Sequence, residues 1–97
     1  MIEHMIRSFR DERTRHIFRR ERVKGISSTV ERAALRKLLL LDAADSLQDV
    51  RVPSGNRLEK LRGDRAGNYS IRVNDQWRIC FAWSGGDADE VELVDYH

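Results

Sequence analysis

Between Tyr69 and Asp95 the chain alternates apolar and polar residues three times, with a turn sequence at each junction, and this pattern leaves room for little except an antiparallel β-meander. Tyr69, Ile71 and Val73 alternate with Ser70 and Arg72. Ile79, Phe81 and Trp83 alternate with Arg78, Cys80 and Ala82, and Val91, Leu93 and Asp95 alternate with Glu92 and Val94. Successive side chains of a strand point to opposite faces, so one face of this sheet is expected to be apolar. Asn74-Asp75 and Ser84-Gly85-Gly86-Asp87 tolerate the backbone of tight turns and should link the three strands. Pro53, Ser54 and Gly55 punctuate a loop, beyond which Leu58 and Leu61 flank one more short strand.

Upstream of that loop the period is helical. Val30, Ala34, Leu38 and Leu41 form a stripe, widened by Ala33, Leu40 and Ala44, that predicts a helix running to about Ala44 and covering one face of the sheet. Ser28 with Glu31 three residues later reads as a capping box at its start. An earlier helix is predicted over residues 11–22, with Ile17 and Phe18 inward, ended by Gly25. Residues 5–9 (MIRSF) suit a first strand, and residues 1–4 are compatible with an upstream extension. The expected fold is α+β in the order β-α-α-β-β-β-β, an antiparallel sheet packed against two N-terminal helices. A length of 97 residues suits a single domain spanning 1–97.

No run approaches the ~18 apolar residues that a membrane span needs, and the arginine-rich start lacks the apolar stretch of a secretory signal. The expected compartment is the cytoplasm. Cys80 is the lone cysteine and sits between Ile79 and Phe81, which argues for a buried structural thiol and against a disulfide or cysteine metal cluster. His4 and His16 have no companion at metal-ligand spacing and read as surface residues. Neither a metal nor a cofactor is expected.

Charge is distributed more tellingly than its net value of +2 suggests. Residues 1–37 hold 11 basic and 5 acidic side chains, whereas residues 38–97 hold 7 and 11. Inside the acidic half, Arg57, Lys60, Arg62, Arg65, Arg72 and Arg78 form a local basic strip of the kind that follows a phosphate backbone. The arginine-rich stretch 13–24 has two open readings: a nonspecific phosphate-attracting contact to RNA, or a solvated helix face or arm that helps hold a partner protein.

RNA cleavage without a metal requires removal of the 2′-hydroxyl proton, stabilisation of a phosphorane, and protonation of the 5′-oxygen. Arg62, Arg65 and Arg78 offer forked donors and fixed positive charge to phosphate oxygens. Asp95, Tyr96 and His97, closing the last strand, offer proton-transfer groups and a ring for base stacking. Imidazole is the one among them whose ordinary pKa lies near neutrality, about 6.5. Trp77 and Trp83 fit sheet packing better than base stacking.

The series LEKLRGDRAGNYSIRVNDQWRICFAW from Leu58 to Trp83, with RSF near the start and VDYH at the end, resembles the HigB-type toxins of the RelE/ParE superfamily. The resemblance covers essentially residues 5–97. It implies the toxin of a type II toxin–antitoxin pair, a ribosome-dependent endoribonuclease that cuts translated mRNA in the small-subunit decoding site. It also implies a HigA-like helix-turn-helix antitoxin that contacts the operator DNA. By motif position, the family's catalytic basic residues fall on Arg62 and Arg78, and its terminal acid, tyrosine and histidine on Asp95, Tyr96 and His97. The remaining basic residues, Arg57, Lys60, Arg65 and Arg72, would bind RNA. Some relatives carry histidine where this chain has Glu59, a carboxylate that can serve as a base but also repels phosphate. Two other functions fit the same fold: a ParE-like inhibitor of DNA gyrase, and a non-catalytic module that binds RNA or protein.

Overall fold

The structure is a computed structural model that describes residues 6–63 and 67–96. The expectations for residues 1–5, Arg65 and His97 concern positions outside that range.

Three helices precede the sheet: α1 (Glu12–Phe18), α2 (Ser28–Ala43) and α3 (Leu47–Val50), followed by a 3-10 turn at Ser54–Asn56. The strands are β1 (Glu59–Lys60), β2 (Asn68–Arg72), β3 (Trp77–Ser84) and β4 (Asp87–Asp95), hydrogen-bonded in sequence order and antiparallel throughout. The α+β meander expected from the alternation is therefore present, and β1 lies between Leu58 and Leu61 as predicted. Asn74 Oδ1 accepts from the backbone N–H of Gln76 and Trp77, at 2.8 Å each, and so shapes the β2–β3 turn. Gly85 and Gly86, with φ of 59° and 85°, supply the left-handed pair that a two-residue hairpin needs.

The alternation of β4 survives an extra residue. Between Cys80/Ala82 of β3 and Glu92/Asp89 of β4 the register shifts, and Glu90 takes up the bulge with φ 54°. Ala88 faces the core before the bulge, and Val91 and Leu93 face it afterwards. With Ile71, Val73, Ile79 and Phe81, they pack against Ala34, Leu38 and Leu41 of α2 and Ile17 of α1. Cys80 is buried, as its neighbours implied.

Several boundaries differ from the sequence reading. The N-cap of α2 is Ser27, whose Oγ accepts from Val30 N–H at 3.2 Å, so Ser28 is the first helical residue and the expected capping box is absent. Glu31 instead accepts from Val23 N–H at 2.8 Å and pairs with Arg22 at 3.5 Å, tying the preceding loop to the helix. The first helix stops at Phe18, four residues early, because Arg20 turns left-handed at φ 64°. His16 is exposed and contacts the Glu21 carboxylate across that turn, a hydrogen bond that lowers the Glu21 pKa. The short α3, which the sequence reading did not anticipate, is braced by the Asp49 carboxylate accepting from Asp45 and Ser46 N–H.

Residues 6–9 do not form a regular strand. They lie parallel to β4 and touch it at two isolated bridges, Ile6 with Ala88 and Phe9 with Val91. The bulge at Glu90 breaks the ladder between them. Even so, the N-terminal segment covers the outer edge of β4 almost group by group: Arg7 N–H donates to Ala88 O (2.8 Å), Glu90 N–H to Ser8 Oγ (2.9 Å), Val91 N–H to Ser8 O (3.1 Å), and Arg10 N–H to Val91 O (2.9 Å). Side chains of α1 take over at Leu93, whose N–H donates to Thr14 Oγ1 (2.9 Å) and whose carbonyl accepts from Arg13 Nη2 (2.7 Å). An open strand edge invites pairing with other chains, and this edge is closed. Thr14 is fully buried, so replacing it with valine removes the acceptor and leaves the Leu93 N–H without one. We expect Thr14→Val to lower unfolding stability by about 1–3 kcal/mol in urea titrations and to speed amide exchange at Leu93; unchanged stability and exchange would show that this edge is held by other contacts.

Candidate active site

Period-two alternation sends Ser70, Arg72, Arg78 and Cys80 to the sheet face opposite the helical core, and the register sets Ser70 against Cys80 and Arg72 against Arg78. Arg78 is buried there, 8% exposed, with Ser70 and Cys80 also buried on that face. A guanidinium in such a place must have its donors met. Its Nε donates to Ser70 Oγ at 2.9 Å, and its Nη2 donates to Arg57 O at 2.6 Å and Ser70 O at 3.3 Å. Nη2 also pairs with the Glu59 carboxylate at 3.4 Å, and the Tyr96 ring centroid lies 5.6 Å from the guanidinium carbon.

The Arg57 carbonyl is aimed at Arg78 by an unusual backbone. Arg57 is left-handed, with φ 47° and ψ 60°, directly after the 3-10 turn. A non-glycine residue in that region costs of order 1 kcal/mol and persists where its surroundings impose it. The imposition comes from Asn56, which is fully buried: its Nδ2 donates to Val50 O (3.1 Å) and Val52 O (3.2 Å), and its Oδ1 accepts from Lys37 Nζ of α2. Partial burial lowers the Lys37 pKa, with the positive charges of Arg36 and Arg72 adding to the effect. Helix α2, the loop and β3 are thus joined through Lys37, Asn56, Arg57 and Arg78.

Two adjoining concavities open beside this arginine. One, about 200 Å³, is lined by Arg57, Glu59, Arg72, Asn74, Asp75, Arg78 and Tyr96. The other is a broader groove along Glu59, Lys60, Leu61, Arg62, Gly63 and Tyr96. Glu59 and Tyr96 belong to both and form the ridge between them. Of the residues singled out from the sequence, Arg57, Glu59, Lys60, Arg62, Arg72, Arg78 and Tyr96 are therefore gathered on one surface. Arg72 is held to the exposed Asp75.

Asp95 is not among them. It pairs with Trp77 across the β3–β4 ladder, one residue out of phase with Tyr96, and its carboxylate accepts from Gln76 Nε2 at 3.1 Å. Tyr96 N–H donates to Gln76 O at 2.7 Å, so the chain stays bound to β3 past the last ladder pair. Trp77 stacks under Arg13, centroid to guanidinium carbon 5.3 Å, which gives it a packing role. Trp83 likewise packs edge-on against Phe81 in the core.

Sequence reasoning missed Ser70, Asn56 and Lys37, which position Arg78 or its carbonyl partner. A polar serine within an alternating strand looks like any solvent-facing residue. Asn56, following Gly55, looks like ordinary turn chemistry. Among the described residues no three His, Cys, Asp or Glu side chains are grouped to hold a metal ion, and no helix is long and apolar enough to cross a membrane.

Fold and site together define a small α+β protein with a buried arginine at the centre of a basic cleft suited to a phosphate backbone. Comparison with known proteins gives the class its name: residues 7–97 match the family model described as the RelE-like toxin of the type II toxin–antitoxin system HigB. This chain belongs to that HigB-like toxin family, and membership implies an antitoxin as partner. Among its relatives is Toxin HigB-1 of Vibrio cholerae serotype O1, 48% identical over 68 residues that cover 70% of this chain and 72% of the relative. Another, Endoribonuclease HigB of Proteus vulgaris, is 30% identical over 93 residues, which cover 96% of this chain and all of the relative. An uncharacterised protein of Haemophilus influenzae is 32% identical over 68 residues, covering 70% of this chain and 67% of its own.

Removing the Asn56 side chain tests the support of the site. Asn56→Ala leaves the Val50 and Val52 carbonyls without their donor, and we expect about 2–4 kcal/mol lost from unfolding stability by chemical denaturation. A loss under ~0.5 kcal/mol would mean that the loop carrying Arg57 is held by other means.

Proposed function

We propose that this toxin is an endoribonuclease that cuts mRNA on the ribosome by side-chain acid–base chemistry, acts in the cytoplasm, and is neutralised by a HigA-like helix-turn-helix antitoxin. The observation that carries the reading is Arg78: a guanidinium bound by Ser70 and Arg57, stacked near Tyr96, and lining one of two adjoining hollows that both carry basic residues. The name of the Proteus vulgaris relative, an endoribonuclease aligned over nearly the whole chain, supports the same reaction.

In this reading a phosphodiester crosses the ridge, with Arg78 on one side and Arg62 on the other. The hydrogen bonds named above leave to a phosphate oxygen Nη1 and the side of Nη2 where the Glu59 carboxylate stands. Fixed donors that need no rearrangement stabilise the extra charge of the phosphorane as it forms. Arg57, Lys60 and Arg72, lining the same hollows, hold neighbouring phosphates. Tyr96, 47% exposed, presents its ring to a base. The 2′-oxygen attacks phosphorus as its proton leaves, and the 5′-oxygen departs with a proton. His97, next along the chain, is the group we assign to that proton traffic. Asp95 is assigned a supporting part from the Gln76 side of the strand end. Arg65 is placed among the RNA contacts by its position in the basic strip.

Mutation separates this reading from gyrase inhibition and from passive RNA binding. Arg78→Lys retains the charge but loses the fork, and we expect growth arrest and codon-mapped mRNA cleavage to fall at least ~100-fold, as for removal of one preorganised transition-state donor. Arrest at full strength without mRNA cleavage, accompanied by DNA breaks, would replace the reading with a gyrase one. Tyr96→Phe should keep most activity and Tyr96→Ala lose it, because stacking needs the ring and not the hydroxyl; equal loss in both would move Tyr96 from stacking to proton transfer.

A further inference from the structure

We infer that Glu59 is an anionic placeholder in the phosphate seat, a residue that sets how strongly an RNA must be presented before the site accepts it. The proposal rests on the ribonuclease reading above and assigns one of its residues a different task from proton abstraction.

The two members of the Glu59–Arg78 pair are held very differently. The Arg78 side chain is 10% exposed and tied at Nε and Nη2 to groups of β2 and the 57-loop. The Glu59 side chain is 56% exposed and projects from β1, a strand of two residues at the sheet edge. Glu59 therefore can leave and Arg78 cannot. The Glu59 carboxylate is more than half exposed and regains water when the pair opens, while Arg78 keeps its other acceptors, so opening it costs little. While closed, however, its carboxylate oxygen lies 3.4 Å from the nitrogen of a guanidinium whose geometry suits phosphate as well as carboxylate.

The position of Glu59 strengthens the case. It is the acidic residue of the ridge shared by the two hollows, with Lys60 and Arg62 on one side and Arg57, Arg72 and Arg78 on the other. A phosphodiester bridging Arg62 and Arg78 crosses this ridge and meets the carboxylate. Either Glu59 swings out to solvent or the two anions repel each other at close range. Both routes subtract from the affinity of every RNA alike. Only RNA with additional contacts elsewhere, such as a strand held in place by a ribosome, makes good the difference.

Glu59→Gln keeps the size and removes the charge, and Glu59→Ala removes both. Binding is measured to ribosomes programmed with an mRNA 2′-O-methylated throughout the decoding-site codon, which prevents cleavage, alongside single-turnover cleavage of the unmodified message. We expect both variants to bind programmed ribosomes roughly 3- to 30-fold more tightly than the parent, with the cleavage rate at saturation within a few-fold of it. Unchanged affinity in both variants, with the parent still preferring programmed over empty ribosomes, would overturn the placeholder role and leave the ribonuclease reading standing. A saturated cleavage rate lowered 100-fold at constant affinity would likewise overturn it, because Glu59 would then be a proton acceptor. Parent and variants that all fail to distinguish programmed from empty ribosomes would sink the ribonuclease reading, and this proposal with it.

Discussion

Placing one guanidinium inside a sheet face organises this molecule. An unpaired buried charge costs several kcal/mol, so the position of Arg78 is tenable only because Ser70 and the Arg57 carbonyl meet its donors. Each requirement passes outward. The Arg57 carbonyl points inward because its backbone is left-handed, that backbone is fixed by buried Asn56, and Asn56 is bound on its other side by Lys37 of α2. The site is thus fastened to the helical layer through the loop and to the sheet through β2. Rigid placement of the donor is what a transition-state charge needs, and here it follows from the energetics of burial.

The second constraint lies at the other edge of the sheet. Among the described residues the ladder ends at Trp77 and Asp95, and Tyr96 keeps its place through its N–H to Gln76 O. Just before it, Leu93 has both backbone groups satisfied by side chains of α1, and the residues ahead of α1 close the rest of the β4 edge. The start of the chain therefore supports its end. Arg13 contributes to this support and stacks on Trp77, which places at least the first arginine of the basic stretch 13–24 in structural service.

Much of the fold was legible because the sheet has one apolar face and period-two alternation records it directly. The turns at Asn74-Asp75 and Gly85-Gly86 were equally plain, since few residues accept those conformations. What escaped were features decided by competition between near-equivalents. Ser27 and Ser28 both suit an N-cap, and Glu31 found a better donor in Val23 N–H. The left turn at Arg20 that shortens α1 carries no glycine to announce it. At the site, charge contrast within an acidic half exposed Arg57, Lys60, Arg62, Arg72 and Arg78, and the structure gathers them. Asp95 separated from Tyr96 because neighbours in a strand face opposite ways, a fact the sequence contains but a terminal triplet disguises. Ser70 and Asn56 stayed hidden because their part lies in bonds between elements, which no local pattern encodes.

The central claim is that RNA engages Arg78 while Ser70 and Arg57 keep hold of it. Its most direct test is a titration of the ¹⁵N-labelled protein with a short 2′-O-methyl RNA, following the Arg78 side-chain Nε–H resonance by NMR. The account predicts a saturable shift at Arg78, together with changes at Tyr96 and Arg62, while the Nε–H stays slow to exchange through its bond to Ser70. An Arg78 resonance unmoved at saturation, with the shifts confined to residues 13–24, would contradict it.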